Sequence, residues 1–144
     1  MQTGRPLLVV PDDATWLDLS TVLVAWKETR ESARAVADAI PFLERAREVV
    51  VVSISAAGEE SVREKLADAD IAGWLARHGV PATVRHEVAE DVDAGSLLLS
   101  RAADFRADLI VMGAYSRPRL SEMVLGGVTR LMLESTTVPV LMSH

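Results

Sequence analysis

Histidine and serine are the side chains of this sequence best suited to catalysis, but their spacing does not favour it. The three histidines, His78, His86 and His144, share no metal-ligand spacing, so we expect no metal site. Ser116 closes a Gly-Ala-Tyr-Ser segment that begins at Gly113 and is not the G-x-S-x-G motif of serine hydrolases. No histidine–aspartate pair is placed to activate this serine, and the chain has no cysteine for thiol chemistry. We therefore predict no catalytic residue.

Lysine, tryptophan and glycine residues offer a different chemistry, the binding of a small anion or nucleotide. Lys27 would attract a phosphate, although a lysine on an exposed loop is often merely solvated. Trp26 would stack on a base or bury its ring beside a sheet. Gly113 suits a tight turn with or without a ligand. Gly126 and Gly127 within a helix indicate close packing, a break in the helix or a bound phosphate. The elements that position these residues decide between the alternatives.

Short runs of β-branched residues alternate with segments of helical periodicity, which is typical of a parallel sheet with crossover helices. The predicted strands 1 to 5 are Thr21–Trp26, Val49–Ile54, Pro81–Val88, Leu109–Gly113 and Val138–Met142. The predicted helices are Ser32–Arg47, Asp70–His78, Asp93–Phe105 and Leu120–Glu134. A capping-box pattern, Ser61 with Glu64, leaves open an earlier start of the second helix.

This order of elements predicts a flavodoxin-like, doubly wound α/β fold with a five-stranded parallel sheet in the order 3-2-1-4-5. Ligands of such sheets bind beyond the carboxyl ends of the strands, at the point where the strand order reverses. In this order the reversal lies between strands 1 and 4. The site would therefore lie between Trp26–Glu28 on one side and Gly113–Tyr115 on the other.

The first twenty residues predict a strand and a linker outside this core. Arg5–Pro11 is an apolar run bounded by prolines, which confines it to a sheet edge, and a polar linker, Asp12–Ser20, follows it. Leu7–Val10 mirrors the last predicted strand, Val138–Met142, so we expect the two to pair antiparallel, within one chain or across a dimer. Covering an exposed apolar edge removes an aggregation site, which favours a homodimer through the C-terminal strand.

Composition and charge limit the partners that the chain is expected to bind. Its 144 residues are enough for one domain with a single core. The net charge of -6 comes without a basic stripe, so neither nucleic acid nor an anionic membrane is an expected partner. The absence of cysteine, and an N-terminal apolar run too short for a signal peptide, favour a cytoplasmic location.

Several segments of the chain resemble the universal stress protein family. The similar segments are Val22–Ser32 at its opening strand and loop, and Asp108–Gly113, Leu125–Val128 and Val138–Leu141 in its closing third. The resemblance covers residues 21–144 and implies the fold above, frequent dimerisation through the last strand, and ATP binding in some members. Residues 1–20 resemble the end of a preceding domain, so the chain resembles the second domain of a tandem member.

The ATP-binding members of this family share the pattern G-x-x-G-x9-G-[S/T], which the chain matches in part. Gly113 and Gly126 match the first and third glycines, whereas Ser116 stands at the second glycine and Gly127 at the Ser/Thr position. Lys27 stands where those members carry an aspartate that helps to hold the nucleotide. Loss of such a polar contact costs about 1–3 kcal/mol. The resemblance therefore implies weak or no nucleotide binding, with ATP as the candidate cofactor.

We predict a non-enzymatic stress-response domain that acts by dimerisation, with weak or no binding of a small nucleotide or anion. One alternative is a genuine ATP-binding member, in which backbone amides replace the lost side chains. A second and less favoured alternative is a small nucleotide hydrolase, for which the sequence pattern shows no nucleophile–base pair.

Overall fold

A six-stranded sheet and four helices form the part of the chain that the computed structural model describes, which is residues 4–15, 17–59, 61–114 and 126–144. The strands are β1 (Leu7–Val9), β2 (Thr21–Trp26), β3 (Glu48–Ala56), β4 (Thr83–Ala89), β5 (Leu109–Gly113) and β6 (Val140–Ser143). The helices are α1 (Arg30–Leu43), α2 (Val62–Arg77), α3 (Ala94–Asp104) and α4 (Gly127–Ser135). Across the sheet, the strand order is β1-β6-β5-β2-β3-β4.

The five predicted strands are β2 to β6, and they lie in the predicted order 3-2-1-4-5, each parallel to its neighbours. The sheet has a sixth strand because β1 adds to its edge, antiparallel to β6. In this pair Leu7 is opposite Met142 and Val9 is opposite Val140. The α/β fold class and the N-terminal edge strand are therefore confirmed, and β1 pairs with β6 of its own chain.

Alternating side chains of the central strands pack against helices on both faces of the sheet. On β2, Val22 and Val24 face a core formed with α1 and α2, whereas Leu23 faces a core formed with α3 and α4. All three side chains are fully buried. Burial of a Val or Leu side chain stabilises the fold by about 1.5–3 kcal/mol. These two cores therefore fix the sheet and, with it, the positions of the strand ends.

The second helix begins earlier than the predicted first residue, Asp70. Ser61 Oγ accepts a hydrogen bond from the Glu64 amide at 3.2 Å, and the Glu64 carboxylate accepts one from the Ser61 amide at 3.0 Å. This capping box starts α2 at Val62, because it satisfies two backbone donors near the N-terminus of the helix. The earlier start that the capping-box pattern left open is therefore correct.

Candidate functional site

A crevice of about 360 Å³ lies at the carboxyl ends of β2 and β5, where the strand order of the sheet reverses. The residues singled out from the sequence that line it are Trp26, Lys27, Gly113, Gly126 and Gly127. The remaining candidate, Ser116, lies outside the described residues, as does Tyr115. The structure thus brings the described candidates together at the predicted switch point, and what they bind stays a prediction.

The lining of the crevice combines an apolar floor with polar groups at its rim. The apolar lining residues are Ala25, Val52, Ile54, Leu98 and Met112. Lys27, Ser32 and the first turn of α4 contribute the polar groups. An apolar wall with a few placed polar groups is the usual composition of a small-molecule site. The arrangement suits a ligand with a flat apolar part and an anionic part.

Gly113 owes its identity to close packing. A Cβ added to this residue would lie 2.7 Å from the Glu31 carbonyl carbon and 2.7 Å from the Ser32 amide nitrogen. Real Cβ atoms do not approach backbone atoms so closely, so only glycine allows the end of β5 to meet the first turn of α1. Packing against α1 therefore requires glycine at position 113, whether or not a ligand binds.

The N-terminus of α4 opens on the crevice without a side-chain cap. Thr29, Ser61 and Asp93 cap the other three helices, whereas Gly126 at the start of α4 offers no side-chain acceptor. A Cβ added to Gly127 would meet no atom of the described residues within 4 Å, so packing against this part of the chain does not explain the glycine. Amides in the first turn of a helix attract anions. The segment before Gly126, including the predicted start of this helix, lies outside the described residues.

Trp26 packs its ring on the α1–α2 face of the sheet, opposite to the apolar floor of the crevice. It contacts the core that contains Val22 and Val24, as the alternation of side chains along β2 requires. Its indole Nε1 is buried and has no hydrogen-bond acceptor in the described structure. The burial of the ring beside the sheet therefore describes Trp26 better than stacking on a ligand in the crevice.

A hydrogen-bonded network that the sequence analysis missed lies next to the crevice. His86 on β4 joins residues of β3 and α2 through both ring nitrogens. Its Nδ1 lies 3.2 Å from Asp68 Oδ2 and 3.0 Å from Ser53 Oγ, and its Nε2 lies 3.0 Å from Ser55 Oγ. Ser53 Oγ also donates to Asp68 Oδ2 at 2.8 Å. The sequence pattern indicated no histidine–aspartate pair beside Ser116. The structure has such a pair, His86 and Asp68, beside Ser55.

A small polar cavity of about 30 Å³ adjoins this network. Lys27 lines both this cavity and the larger crevice, so the two are neighbours. Glu64 lies at the same cavity, where the amide of Ser61 and then the hydroxyl of Ser55 lower the pKa of its carboxyl group. The network therefore connects the interior of the sheet to the charged rim of the crevice.

The described residues give no sign of two other kinds of site. Within ranges 4–15, 17–59, 61–114 and 126–144, no group of three or more histidine, cysteine, aspartate or glutamate side chains is arranged to hold a metal ion. No helix in the same part of the chain is long and apolar enough to cross a membrane.

Comparison with known proteins identifies the family of this fold. A family model described as the universal stress protein family matches residues 19–144. A universal stress protein from Lactobacillus plantarum is similar in structure, with a TM-score of 0.69, 14% identity, and coverage of 88% of this chain and 98% of that chain. The search of curated proteins finds no match.

Two structures from Archaeoglobus fulgidus are also similar. A universal stress protein from strain DSM 4304 has a TM-score of 0.75 and 20% identity, and the match covers 97% of this chain but 51% of that chain. A universal stress protein solved in complex with dAMP has a TM-score of 0.63 and 16% identity, with coverage of 90% of this chain and 100% of that chain. At these identities, the structures show a shared fold.

Proposed function

The chain belongs to the universal stress protein family, and we propose that its crevice binds a small nucleotide or other anion weakly and catalyses no reaction of it. The observation that carries this proposal is the crevice itself, at the switch point of the sheet. It combines an apolar floor, the charge of Lys27 and the uncapped first turn of α4. The base of a nucleotide would lie on the floor, and its phosphate would lie near the helix N-terminus.

Two features of this crevice support weak rather than tight binding. Lys27 offers a cation at the position where nucleotide-binding members have a carboxylate, so it cannot accept a hydrogen bond from the nucleotide as that carboxylate can. Gly127 provides no hydroxyl at the start of α4. Each missing contact reduces affinity by roughly tenfold. We expect a dissociation constant of about 0.1–1 mM, which corresponds to only ~4–5 kcal/mol of binding free energy.

A genuine ATP-binding member is the second candidate. It is favoured by the amides of the α4 first turn, which do not depend on the side chains that are missing. The dAMP complex of the Archaeoglobus protein shows that a protein with this fold holds a nucleotide. In this alternative, backbone donors and the apolar floor supply enough binding energy by themselves.

Dimerisation through the C-terminal strand is part of the proposal, and β1 determines how it would occur. The outer edge of β6 is occupied by β1 of the same chain, over the three residue pairs from Leu7 to Val9. A second copy would therefore pair with the outer edge of β1, displace β1 or exchange it. Leu7, Leu8 and Val10 leave an apolar surface at this edge, with 43%, 39% and 51% of their surface exposed. Such an edge favours association.

The origin of residues 1–20 and the location of the protein also stay proposals. The longer Archaeoglobus chain matches 97% of this chain, whereas the Lactobacillus protein matches 88%. The difference supports the interpretation of residues 1–20 as the last strand and linker of a preceding domain. The lack of cysteine in the sequence supports a cytoplasmic location.

Titration calorimetry of the full chain with AMP, ATP and ATP with magnesium tests the nucleotide proposal. We expect submillimolar to millimolar binding that weakens a further ~3–10-fold in Lys27→Ala, because the attraction to phosphate is lost. Lys65→Ala, an exposed lysine on α2, is the control and should bind as the unaltered chain does. Micromolar binding of ATP would favour the second candidate. No heat with any nucleotide at millimolar concentration would remove nucleotide binding from the proposal.

A further inference from the structure

Ser55, His86 and Asp68 are connected in the way that activates a serine hydroxyl. A carboxylate only accepts hydrogen bonds, so the contact of 3.2 Å between Asp68 Oδ2 and His86 Nδ1 places the ring proton on Nδ1. In the neutral ring, Nε2 then carries the lone pair and lies 3.0 Å from Ser55 Oγ, whose hydroxyl also interacts with the Glu64 carboxylate. The nucleophile, the base and the residue that orients the base therefore follow one another at hydrogen-bonding distance.

The surroundings of Asp68 keep this arrangement in place. Ser53 Oγ donates to the same carboxylate oxygen at 2.8 Å, which fixes its orientation. Asp68 and Ser55 are 8% and 3% exposed, and the side chain of His86 is 23% exposed. Because water is partly excluded from these residues, their hydrogen bonds are stronger than they would be in bulk water. Two strands and a helix hold the three residues, so their geometry does not depend on a loop.

We propose that Ser55 is an activated nucleophile that accepts small acyl groups from activated esters, with His86 as the general base and Asp68 as the residue that orients it. The array lies at the carboxyl end of β3 and β4, beside the small polar cavity that these residues line. Ser55, His86 and Asp68 do not line the crevice itself, although the cavity beside them shares Trp26, Lys27 and Ile54 with the crevice.

Acylation of Ser55 is the first half of the proposed reaction, and an acetyl ester is its only co-reactant. Ser55 Oγ bonds to the carbonyl carbon of the ester while its proton passes to His86 Nε2. The tetrahedral adduct collapses with cleavage of the bond to the leaving alkoxide or phenolate, which takes the proton from Nε2. In the second half, water attacks the acetyl-serine and gives one proton to His86, that proton passes to Ser55 Oγ as its bond to the acetyl group breaks, and acetic acid leaves with the other proton.

Size and charge at the cavity define the acyl donor. A volume of about 30 Å³ leaves room only for a water-sized group or a small acyl group. Lys27 lines this cavity, and its positive charge offsets the neighbouring carboxylates of Glu28, Glu64 and Asp68 where negative charge develops on the carbonyl oxygen. Short acyl chains with a good leaving group are therefore the expected donors, and bulky acyl groups are excluded.

The test uses the full chain with p-nitrophenyl acetate, followed by peptide mapping of the acetylated residues. We expect the unaltered protein to carry acetyl on Ser55, and the same protein unfolded in urea to carry none there. Ser55→Ala should lose this adduct, and His86→Gln should form it on the order of 100-fold more slowly. Ser100→Ala and His78→Gln, which change an exposed serine and an exposed histidine, are the matched controls and should be acetylated at Ser55 at the original rate.

Two further results decide the outcome even if a variant is unstable. p-Nitrophenyl butyrate should acylate Ser55 of the unaltered protein at least ~10-fold more slowly than the acetate, because of the cavity size. The proposal is overturned if the folded, unaltered protein shows no acetyl on Ser55 and releases p-nitrophenolate no faster than folded Ser55→Ala. It is also overturned if the rate at Ser55 is the same in folded His86→Gln, in urea, or with the butyrate ester.

Discussion

Gly113 and Ser32 lie so close together that a Cβ on Gly113 would be 2.7 Å from the Ser32 amide nitrogen. The contact joins the carboxyl end of β5 to the first turn of α1, and both residues line the crevice. Because the neighbouring atoms belong to the backbone, they cannot move aside as a flexible side chain would. The shape of this end of the crevice therefore depends on the absence of a side chain at Gly113.

Gly113→Ala should lower the free energy of unfolding by about 1–3 kcal/mol, because the added methyl group forces α1 away from β5. Urea unfolding followed by circular dichroism measures the change. The control is Gly127→Ala, where a Cβ meets no atom of the described residues and alanine is a better helix former, so stability should be unchanged or slightly higher. Equal stability of the Gly113→Ala variant and the unaltered chain would show that the contact relaxes without strain.

The sheet could be predicted from the sequence because its strands have a local signal, a short run of apolar residues. Thr21–Trp26 and Leu109–Gly113 are continuous apolar runs, and the structure has these two strands with the same bounds. A parallel sheet with right-handed crossovers leaves few possible strand orders, so the switch point followed from the order of the elements. The residues at that point therefore came together as expected.

The network around His86 could not be predicted in the same way, because its members come from three elements that only the tertiary structure joins. Ser53 and Ser55 interrupt a valine-rich strand at alternate positions, which is a weak signal that one face of the strand meets polar partners. Asp68 lies on α2, whose predicted first residue, Asp70, is later than the observed one. A helix that starts at Val62 was needed before this carboxylate could be placed against the sheet.

Trp26→Phe should leave the free energy of unfolding unchanged or raise it by up to ~1 kcal/mol. The buried indole Nε1 has no acceptor in the described structure, and a buried unpaired donor costs about 1–3 kcal/mol. Phenylalanine removes that donor and keeps most of the apolar contact with the core. Thermal and urea unfolding give the comparison. A loss of more than ~2 kcal/mol would mean that this N–H group has an acceptor in solution.

Glu87 and Arg101 should make stability depend on pH below about pH 5. Two hydrogen bonds from the Arg101 guanidinium, at 2.8 and 2.9 Å, lower the pKa of the Glu87 carboxyl group. A carboxyl group whose pKa is lower in the folded state stabilises the fold above its unfolded pKa of about 4.3, and this contribution is lost as the pH falls through the folded value. The free energy of unfolding should therefore decrease on acidification.

The contribution of Glu87 can be isolated with Glu87→Gln. The stability difference between this variant and the unaltered chain should be largest near pH 7 and should shrink towards pH 3, where the carboxyl group of the unaltered chain is also neutral. Glu90→Gln serves as the control, because Glu90 is exposed and directly follows β4. A stability difference that stays constant between pH 7 and pH 3 would contradict the assignment to the ion pair.

Ser61→Ala should destabilise the protein by about 0.5–2 kcal/mol, because it removes the hydroxyl that accepts from the Glu64 amide at 3.2 Å. The effect should be local to the first turn of α2, where hydrogen exchange of the backbone amides should become faster. Ser100→Ala, within α3 and exposed, is the matched control and should change stability by less than ~0.5 kcal/mol. Unchanged exchange in α2 after Ser61→Ala would show that the capping box does not hold in solution.

Removal of residues 1–11 should increase self-association, because it uncovers the edge of β6 that β1 occupies. The backbone groups of Val140–Ser143 that face away from β5 would then lack partners, and an equivalent edge of a second copy would supply them. Analytical ultracentrifugation over a range of concentrations should show a dimer that forms at least ~10-fold more tightly than in the full chain. Removal of residues 1–5 alone leaves β1 in place and is the control. Equal association of both shortened chains would mean that β1 does not protect this edge.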